Sequence, residues 1–286
     1  MNRLIATIFI SFFGIQPLLG GYSLDLSTSY DHFRGIPDGS WNGNTGAVFA
    51  ANGGMSLSDC IGVQAGGSYG LYNWDGRGNV VFANPQTSEQ IGLVTAGVYG
   101  SFMNWTGGIV YDGMYTKNFS IFDVTSCMDQ LRFQAGYVLC GEEVGVWGTH
   151  YLKTAHKNVL GLPVSFRAIN QLNLFWSHSF QNRAETTLWI GMPYRNSLMF
   201  PDERAGNFIA GFSFRAPLTN RLSLDGYGSY MSARHTNGFQ QSCNYDSSIS
   251  VGLTYSFGGG NCSVFDRPYM SIANHSNFFV DTNVNN

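Results

Sequence analysis

The chain has 286 residues, of which 44% are hydrophobic, 15% are aromatic and only 12% are charged. Charged residues are about half as frequent as in an average soluble domain, so the composition argues against an ordinary water-soluble fold. The formal net charge of −3 argues against a nucleic-acid partner, which would require a basic face.

The first 21 residues have the pattern of a secretory signal peptide. Asn2 and Arg3 precede an apolar run over residues 4–13, and the small residues Gly20 and Gly21 follow it. The apolar run is too short to cross about 30 Å of hydrocarbon as a helix. We therefore expect residues 1–21 to direct export and then to be removed.

After this segment the chain contains no apolar run of about 18 residues, so a membrane crossing would have to use strands. The clearest strand pattern covers residues 248–257, where apolar and small polar residues alternate strictly. This alternation places Ile249, Val251, Leu253 and Tyr255 on one face and Ser250, Gly252 and Thr254 on the other. The first face suits lipid and the second suits water.

Similar segments recur along the chain and predict twelve strands. They lie near residues 22–34, 46–57, 61–72, 91–101, 105–116, 130–139, 144–152, 165–177, 184–194, 204–215, 221–231 and 247–257. The connections between them are alternately short and long, as in outer-membrane barrels with tight periplasmic turns and longer outer loops. The sequence thus predicts an all-β fold, a transmembrane antiparallel up-and-down β-barrel over residues 22–257.

The stretch 250–257, with alternate apolar residues and a final aromatic at Phe257, resembles the closing strand of bacterial outer-membrane β-barrels. The resemblance implies a location in the cell outer membrane, contact with outer-membrane lipid and folding by the barrel-insertion machinery. In the commonest form of this class the aromatic is the last residue, whereas 29 residues follow Phe257 here. We expect residues 258–286 to be a periplasmic C-terminal tail, because terminal segments are usually poorly ordered, with a small plug as the alternative.

A porin-like channel for small polar solutes is the leading functional hypothesis, because a barrel of more than eight strands begins to leave interior space. One alternative is a structural or adhesive surface barrel with a filled lumen. Another is a secreted β-sandwich or propeller that binds glycans. The sequence shows no phosphate loop, dinucleotide fingerprint or metal-ligand spacing, so we expect no cofactor and no enzyme activity.

Alternation also predicts which charged side chains line the pore. Five charged residues alternate with apolar residues that are predicted to face outward, so their side chains are predicted to face inward. They are Arg132 and Arg167 on predicted strands six and eight, Asp25 and Asp31 on strand one, and Asp225 on strand eleven. These charges would either orient solutes from opposite walls or pair with close neighbours and fill the lumen.

Five cysteines are present in a chain that is expected to meet an oxidising environment. Cys127 and Cys243 fall in predicted outer loops and are candidates for a disulfide bond. Their spacing matches no zinc or redox motif, and free or buried thiols remain an equal alternative.

Overall fold

A computed structural model describes residues 22–35, 43–79, 84–120, 123–198, 202, 204–232, 246–258 and 270–284. The predicted signal peptide, residues 1–21, lies outside these residues. Within the described part of the chain, no helix is long and apolar enough to cross a membrane.

Twelve strands form a closed barrel in which every strand pairs antiparallel with its neighbours, and the first pairs with the last to close the ring. This confirms the predicted fold and strand count and excludes a sandwich or propeller. The barrel strands are β1 (Tyr22–Gly35), β2 (Asn44–Ser56), β3 (Ile61–Asn79), β4 (Asn84–Phe102), β5 (Trp105–Phe119), β6 (Val124–Leu139), β7 (Glu142–Lys153), β10 (Gln171–Ser179), β11 (Glu185–Pro193), β12 (Ile209–Pro217), β13 (Leu222–Met231) and β14 (Asp246–Gly258).

Three further strands form a separate sheet in the order β15-β9-β8. They are β8 (Ala155–Val159), β9 (Leu162–Ala168) and β15 (Val280–Val284). Strands β8 and β9 form a hairpin in the connection between β7 and β10. The prediction of a single eighth strand over residues 165–177 is therefore wrong, because it joined part of β9 to the barrel strand β10.

The wall of the barrel has an apolar outer face and a polar inner face. On β14 the side chain of Ile249 is 50% exposed, whereas that of Ser250 is 4% exposed, and the alternation continues through Leu253 and Thr254. On β10 and β11, Leu174 and Ile190 are paired neighbours that both point outward. Exposed apolar side chains around a closed barrel are what contact with lipid requires.

The connections separate into two groups at opposite ends of the barrel. Five short turns lie at one end, which we call the short-turn end. The hairpin β8–β9 lies at the opposite, long-loop end, together with the strand ends that flank the connections predicted as long. Both Tyr22 and Gly258 lie at the short-turn end, because they begin β1 and end β14 in a paired register. By the convention of outer-membrane barrels, this end faces the periplasm.

Several strands extend further toward the long-loop end than predicted. Strands β3 and β4 each have 19 residues, and β6 begins at Val124 rather than near residue 130. The extension of β6 carries the inward-facing apolar side chains of Val124 and Met128, which belong to a buried cluster inside the barrel. Apolar side chains there need a packing partner, and residues 273–280 of the C-terminal segment supply it.

Candidate functional site: a lumen filled by the C-terminal segment

Residues 270–284, which we call the C-terminal plug, pass through the barrel lumen. Near the short-turn end, Met270 N donates to Gln64 Oε1 at 2.7 Å, and Gln64 Nε2 donates to Met270 O at 3.1 Å. Further along, Ala273 N donates to Thr95 Oγ1 at 2.8 Å. The plug thus runs from the short-turn end toward the long-loop end, bonded to the inner wall.

The predicted periplasmic tail over residues 258–286 is therefore corrected for residues 270–284, whereas residues 259–269 and 285–286 lie outside the described part. The physical reason for the difference is hydrogen bonding. Polar wall side chains inside a narrow lumen need partners, and the backbone of the plug supplies them. Gly108 accommodates the close approach, since a Cβ there would lie 2.8 Å from Met270 Sδ.

In the middle of the plug, a turn centred on Asn274 provides hydrogen-bond partners for much of the local backbone. Its side-chain oxygen accepts from Ser276 N at 2.8 Å, and its carbonyl accepts from Phe278 N at 2.9 Å. Asn277 closes the turn, because its side-chain oxygen accepts from Asn274 N at 2.9 Å. Asparagine side chains stabilise turns in this way, so a segment without regular strand partners is ordered inside the barrel.

The end of the plug makes apolar contacts toward the long-loop end. Phe278 and Val280 belong to one buried cluster with Phe166 of β9, and Phe279 belongs to a second with Trp147 of β7. Strand β15 then pairs antiparallel with β9. The hairpin and the chain end together cover the inside of the barrel mouth.

Asp281 of β15 links this sheet to the connection between β11 and β12. Its carboxylate accepts from Leu198 N at 2.5 Å and from Ser197 Oγ at 3.1 Å, and Arg167 Nη2 lies 3.7 Å away. Burial raises the pKa of the Asp281 carboxyl above its ordinary value, although these three groups act against the rise.

A buried ion pair joins the plug to the middle of the wall. Arg132 Nε donates to Asp112 Oδ2 at 2.8 Å and Arg132 Nη2 donates to Asp112 Oδ1 at 3.2 Å, so the contact is bidentate. The same Nη2 donates to Ser271 O of the plug at 2.6 Å. Thr95 Oγ1 and Gln130 Nε2 donate to the Asp112 carboxylate at 2.7 and 3.1 Å. Among the described residues, the partners of the pair all come from the wall or the plug.

A second buried cluster surrounds Asp31. Tyr72 and Tyr227 donate their hydroxyls to its carboxylate at 2.8 and 3.0 Å. His275 of the plug lies with Nε2 3.6 Å from Asp31 Oδ2, and its ring stacks on Phe33 with centroids 4.2 Å apart. The predicted pore-lining residue Asp31 therefore binds the plug.

A third group of charges lies nearer the short-turn end. Arg215 contacts Asp225 in a bidentate manner, with N to O distances of 2.9 and 3.1 Å, and lies 3.7 Å from Asp25. A cavity of about 380 Å³ remains in the lumen beside this group, and Glu143 and Glu185 also line it. Carboxylates outnumber arginines among these five side chains.

The structure therefore brings four of the five predicted residues to the lumen: Asp25, Asp31, Arg132 and Asp225. Arg167 is the exception, because it lies on β9 of the hairpin and not on a barrel strand. Phe166 and Ala168, which flank Arg167 on β9, are fully buried in a cluster that includes plug residues. Sequence reasoning missed Asp112 and Arg215, although each lies on a predicted strand and Arg215 is the cross-strand partner of Asp225.

The cysteine prediction stays untested. Cys127 lies on β6 rather than in a loop, and its side chain is exposed. Cys243 lies outside the described residues. A bridge between the two therefore stays a prediction.

Two histidines lie close to serines among the described residues: His178 follows Ser177 on β10, and His156 Nδ1 lies 2.8 Å from Ser165 Oγ across the hairpin β8–β9. Ser177 points inward and contacts Thr187 at 2.8 Å, whereas its neighbour His178 lies 3.4 Å from Glu142 at the short-turn end. The described residues also contain no group of three His, Cys, Asp or Glu side chains that could bind a metal ion.

A closed antiparallel barrel with an apolar outer face defines this protein as a membrane β-barrel of the outer-membrane type. Within that class the chain belongs to the family described as "Family of unknown function (DUF6666)", which it matches over residues 19–280. A comparison with curated proteins found no match.

Solved structures with a similar fold are outer-membrane barrels. A membrane protein from work on in-meso crystallization shares 8% identity and a TM-score of 0.51, covering 91% of this chain and 100% of that one. The outer-membrane phospholipase dimer of Salmonella typhi, with bound calcium, shares 10% identity and a TM-score of 0.46, covering 84% and 93%. An anion-selective porin from Comamonas acidovorans shares 10% identity and a TM-score of 0.38 with this chain. The match covers 82% of this chain and 98% of the porin. At these identities the likeness shows the fold alone.

Proposed function

We propose that this protein is a surface barrel of the cell outer membrane whose lumen is closed by its own C-terminal plug. Its role in this proposal is structural or adhesive, through the sheet and loops at the long-loop end. The observation that carries the proposal is the burial of Phe278, Phe279 and Val280 in two apolar clusters at that end. Apolar side chains packed across a lumen oppose the passage of water and ions.

Charge pairing supports the same proposal. Arg132 is bonded to Asp112 and to the plug, and Asp31 is bonded to two tyrosines and lies beside His275. Side chains that were candidates for a solute path thus have partners within the protein. The family match extends through residue 280, so it includes the part of the plug that enters the lumen.

A porin-like channel for small polar solutes is the second candidate, and one observation favours it. The cavity of about 380 Å³ beside Asp25, Arg215 and Asp225 has charged groups in its lining, together with aromatic side chains such as Trp147 and Trp189. In this version the plug is a gate that leaves the lumen on some signal. Both versions assume folding by the barrel-insertion machinery, contact with outer-membrane lipid, and no catalysed reaction.

Planar-bilayer recording of the full-length protein tests the proposal. We expect no conductance steps from protein that is shown to be folded by its altered gel migration before heating. The physical reason is the apolar seal at the long-loop end. Regular steps from the folded, full-length barrel at low voltage would instead support the channel and contradict a closed surface barrel.

A further inference from the structure

Glu143, on the inner face of β7, is a buried carboxylate in the wall of the lumen cavity. The residue is 3% exposed and lines the cavity of about 380 Å³. Thr106 Oγ1 donates a hydrogen bond to Glu143 Oε1. Among the described residues, no lysine, arginine or histidine forms an ion pair with this carboxylate. A buried charge is costly unless it is paired, so this position favours a cationic ligand.

The two arginines that line the same cavity are bonded to other carboxylates. Arg132 contacts Asp112 in a bidentate manner, and Arg215 contacts Asp225 in the same way. Their positive charges are therefore balanced elsewhere in the lumen. The charge of Glu143 is left for a ligand to balance.

Three aromatic rings lie beside Glu143 on the inner wall. Phe175 of β10 is the cross-strand partner of Gly145, which is two residues from Glu143 on β7. Phe175 is also the partner of Trp189 on β11. The ring centroids of Trp147 and Trp189 are 6.1 Å apart, and the ring planes are at 75°. All three rings line the same cavity as the carboxylate.

Glycines on neighbouring strands allow two of these rings to lie along the wall. A Cβ at Gly145 would be 2.7 Å from a ring carbon of Phe175, and one at Gly211 would be 2.3 Å from a ring carbon of Trp189. Larger residues at these positions would push the rings into the lumen. The rings also pack against Phe279 toward the long-loop end, so they separate the apolar cluster from the cavity. Aromatic rings attract cations through their quadrupole, most strongly where water is excluded.

We propose that the lumen cavity binds a small organic ammonium ion, whose charge is balanced by Glu143 and whose apolar groups pack against Phe175 and Trp189. A neutral ligand would leave the carboxylate without compensation, and an inorganic cation would gain little from the apolar part of the rings. Glu143 is the second residue of β7, so the site lies near the short-turn end. The inference goes beyond the proposed surface role. Ligand binding and conductance are measured separately, so either proposal can fail alone.

Isothermal titration calorimetry of the folded, full-length protein in dodecyl maltoside tests this site. The probes are choline, its neutral isostere 3,3-dimethyl-1-butanol, and sodium chloride. We expect choline to bind at least about 10-fold more tightly than the isostere, because the two differ only in the charge that Glu143 would balance. Sodium chloride at the same concentration should not displace choline. Absence of choline binding, equal binding of the isostere, or displacement by sodium would each overturn the proposal.

Two variants with matched controls test the residues of the site. E143Q should weaken choline binding at least about 10-fold. Its control is E142Q, at the adjacent position, whose side chain is 49% exposed and whose replacement should have no effect. W189L should weaken binding about 5-fold to 30-fold, whereas W176L, on the outer face of β10, should not. Gel migration before heating shows which variants fold. Unchanged affinity in folded E143Q, or equal losses in E143Q and E142Q, would overturn the proposal.

Discussion

A chain that ends at Gly258 is expected to form an open pore with clear conductance steps, whereas the full-length protein stays closed. Truncation removes Phe278, Phe279 and Val280 from the long-loop end and leaves the twelve-stranded wall intact. A barrel of this size without a plug has interior space for water and ions. Planar-bilayer recording of both proteins measures the difference.

The opened pore should also prefer cations. Asp25, Asp225, Glu143 and Glu185 face the lumen near one level, and Arg215 is the arginine that contacts two of them. Rings of carboxylates select cations in channels. The reversal potential in a salt gradient gives the sign of this preference.

Two point variants of the full chain control for effects of truncation on folding. F278S/F279S should open the pore partly, because two polar side chains replace the apolar seal. L160S changes an exposed residue in the turn of the hairpin β8–β9, and the protein should still show no conductance steps. A truncated barrel that folds, migrates anomalously before heating and still conducts nothing would show that the plug does not close the lumen.

Replacement of Asp112 by alanine is expected to cause the largest loss of stability of any single substitution in the wall. It removes the bidentate partner of Arg132, whose side chain is only 4% exposed. Loss of one member of a buried ion pair typically costs about 3–5 kcal/mol, because the remaining charge is buried without compensation. Urea unfolding in lipid vesicles, followed by tryptophan fluorescence, measures the free energy.

Two comparisons make this prediction specific. The double variant D112L/R132M should recover much of the lost stability, since an apolar pair of similar volume replaces the ion pair. D59A, in the exposed turn between β2 and β3, should change the free energy by less than about 0.5 kcal/mol. A loss below about 1 kcal/mol for D112A would mean that the ion pair is hydrated or absent in the membrane, since a buried pair that loses one member costs more.

The barrel itself could be predicted because lipid and water select opposite side chains at every second position. Ile249 and Ser250 show the rule on β14, and it recurs on the other strands. The lengths of the connections were a second, independent indication of a barrel. The turns between β2 and β3 and between β4 and β5 are short, as the turns at one end of an outer-membrane barrel are. Period-2 alternation and connection length are both local properties that the sequence displays directly.

The hairpin β8–β9 was missed because alternation does not reveal what covers the apolar face. Val164, Phe166 and Ala168 alternate as a membrane strand would, yet they face the plug. Asn158 and Gly161 were the available sequence signal for a turn between two strands. The structure has positive φ angles there, 52° at Leu160 and 88° at Gly161. Gly161 N also donates to Asn158 Oδ1 at 2.9 Å.

From the sequence, the plug was only the alternative to a periplasmic tail, and the reason is different. Its contacts join residues far apart in the chain, such as Gln64 with Met270 and Thr95 with Ala273, and no local pattern encodes them. The apolar run Phe278, Phe279 and Val280 within the tail was the available signal. An apolar run at a chain end needs a place to be buried, and the lumen is that place.

Disulfide trapping between Thr95→Cys and Ala273→Cys tests the position of the plug most directly. The experiment uses a protein whose native cysteines are replaced by serine. Ala273 N lies 2.8 Å from Thr95 Oγ1, so thiols at these two positions come within bridging distance. The control pairs Ala273→Cys with Ala96→Cys, because Ala96 faces outward on the same strand. A closed lumen predicts near-complete bridging of the first pair and none of the second, as measured by mass spectrometry of non-reduced peptides. A folded barrel in which both thiols of the first pair remain free for alkylation would contradict a plug inside the lumen.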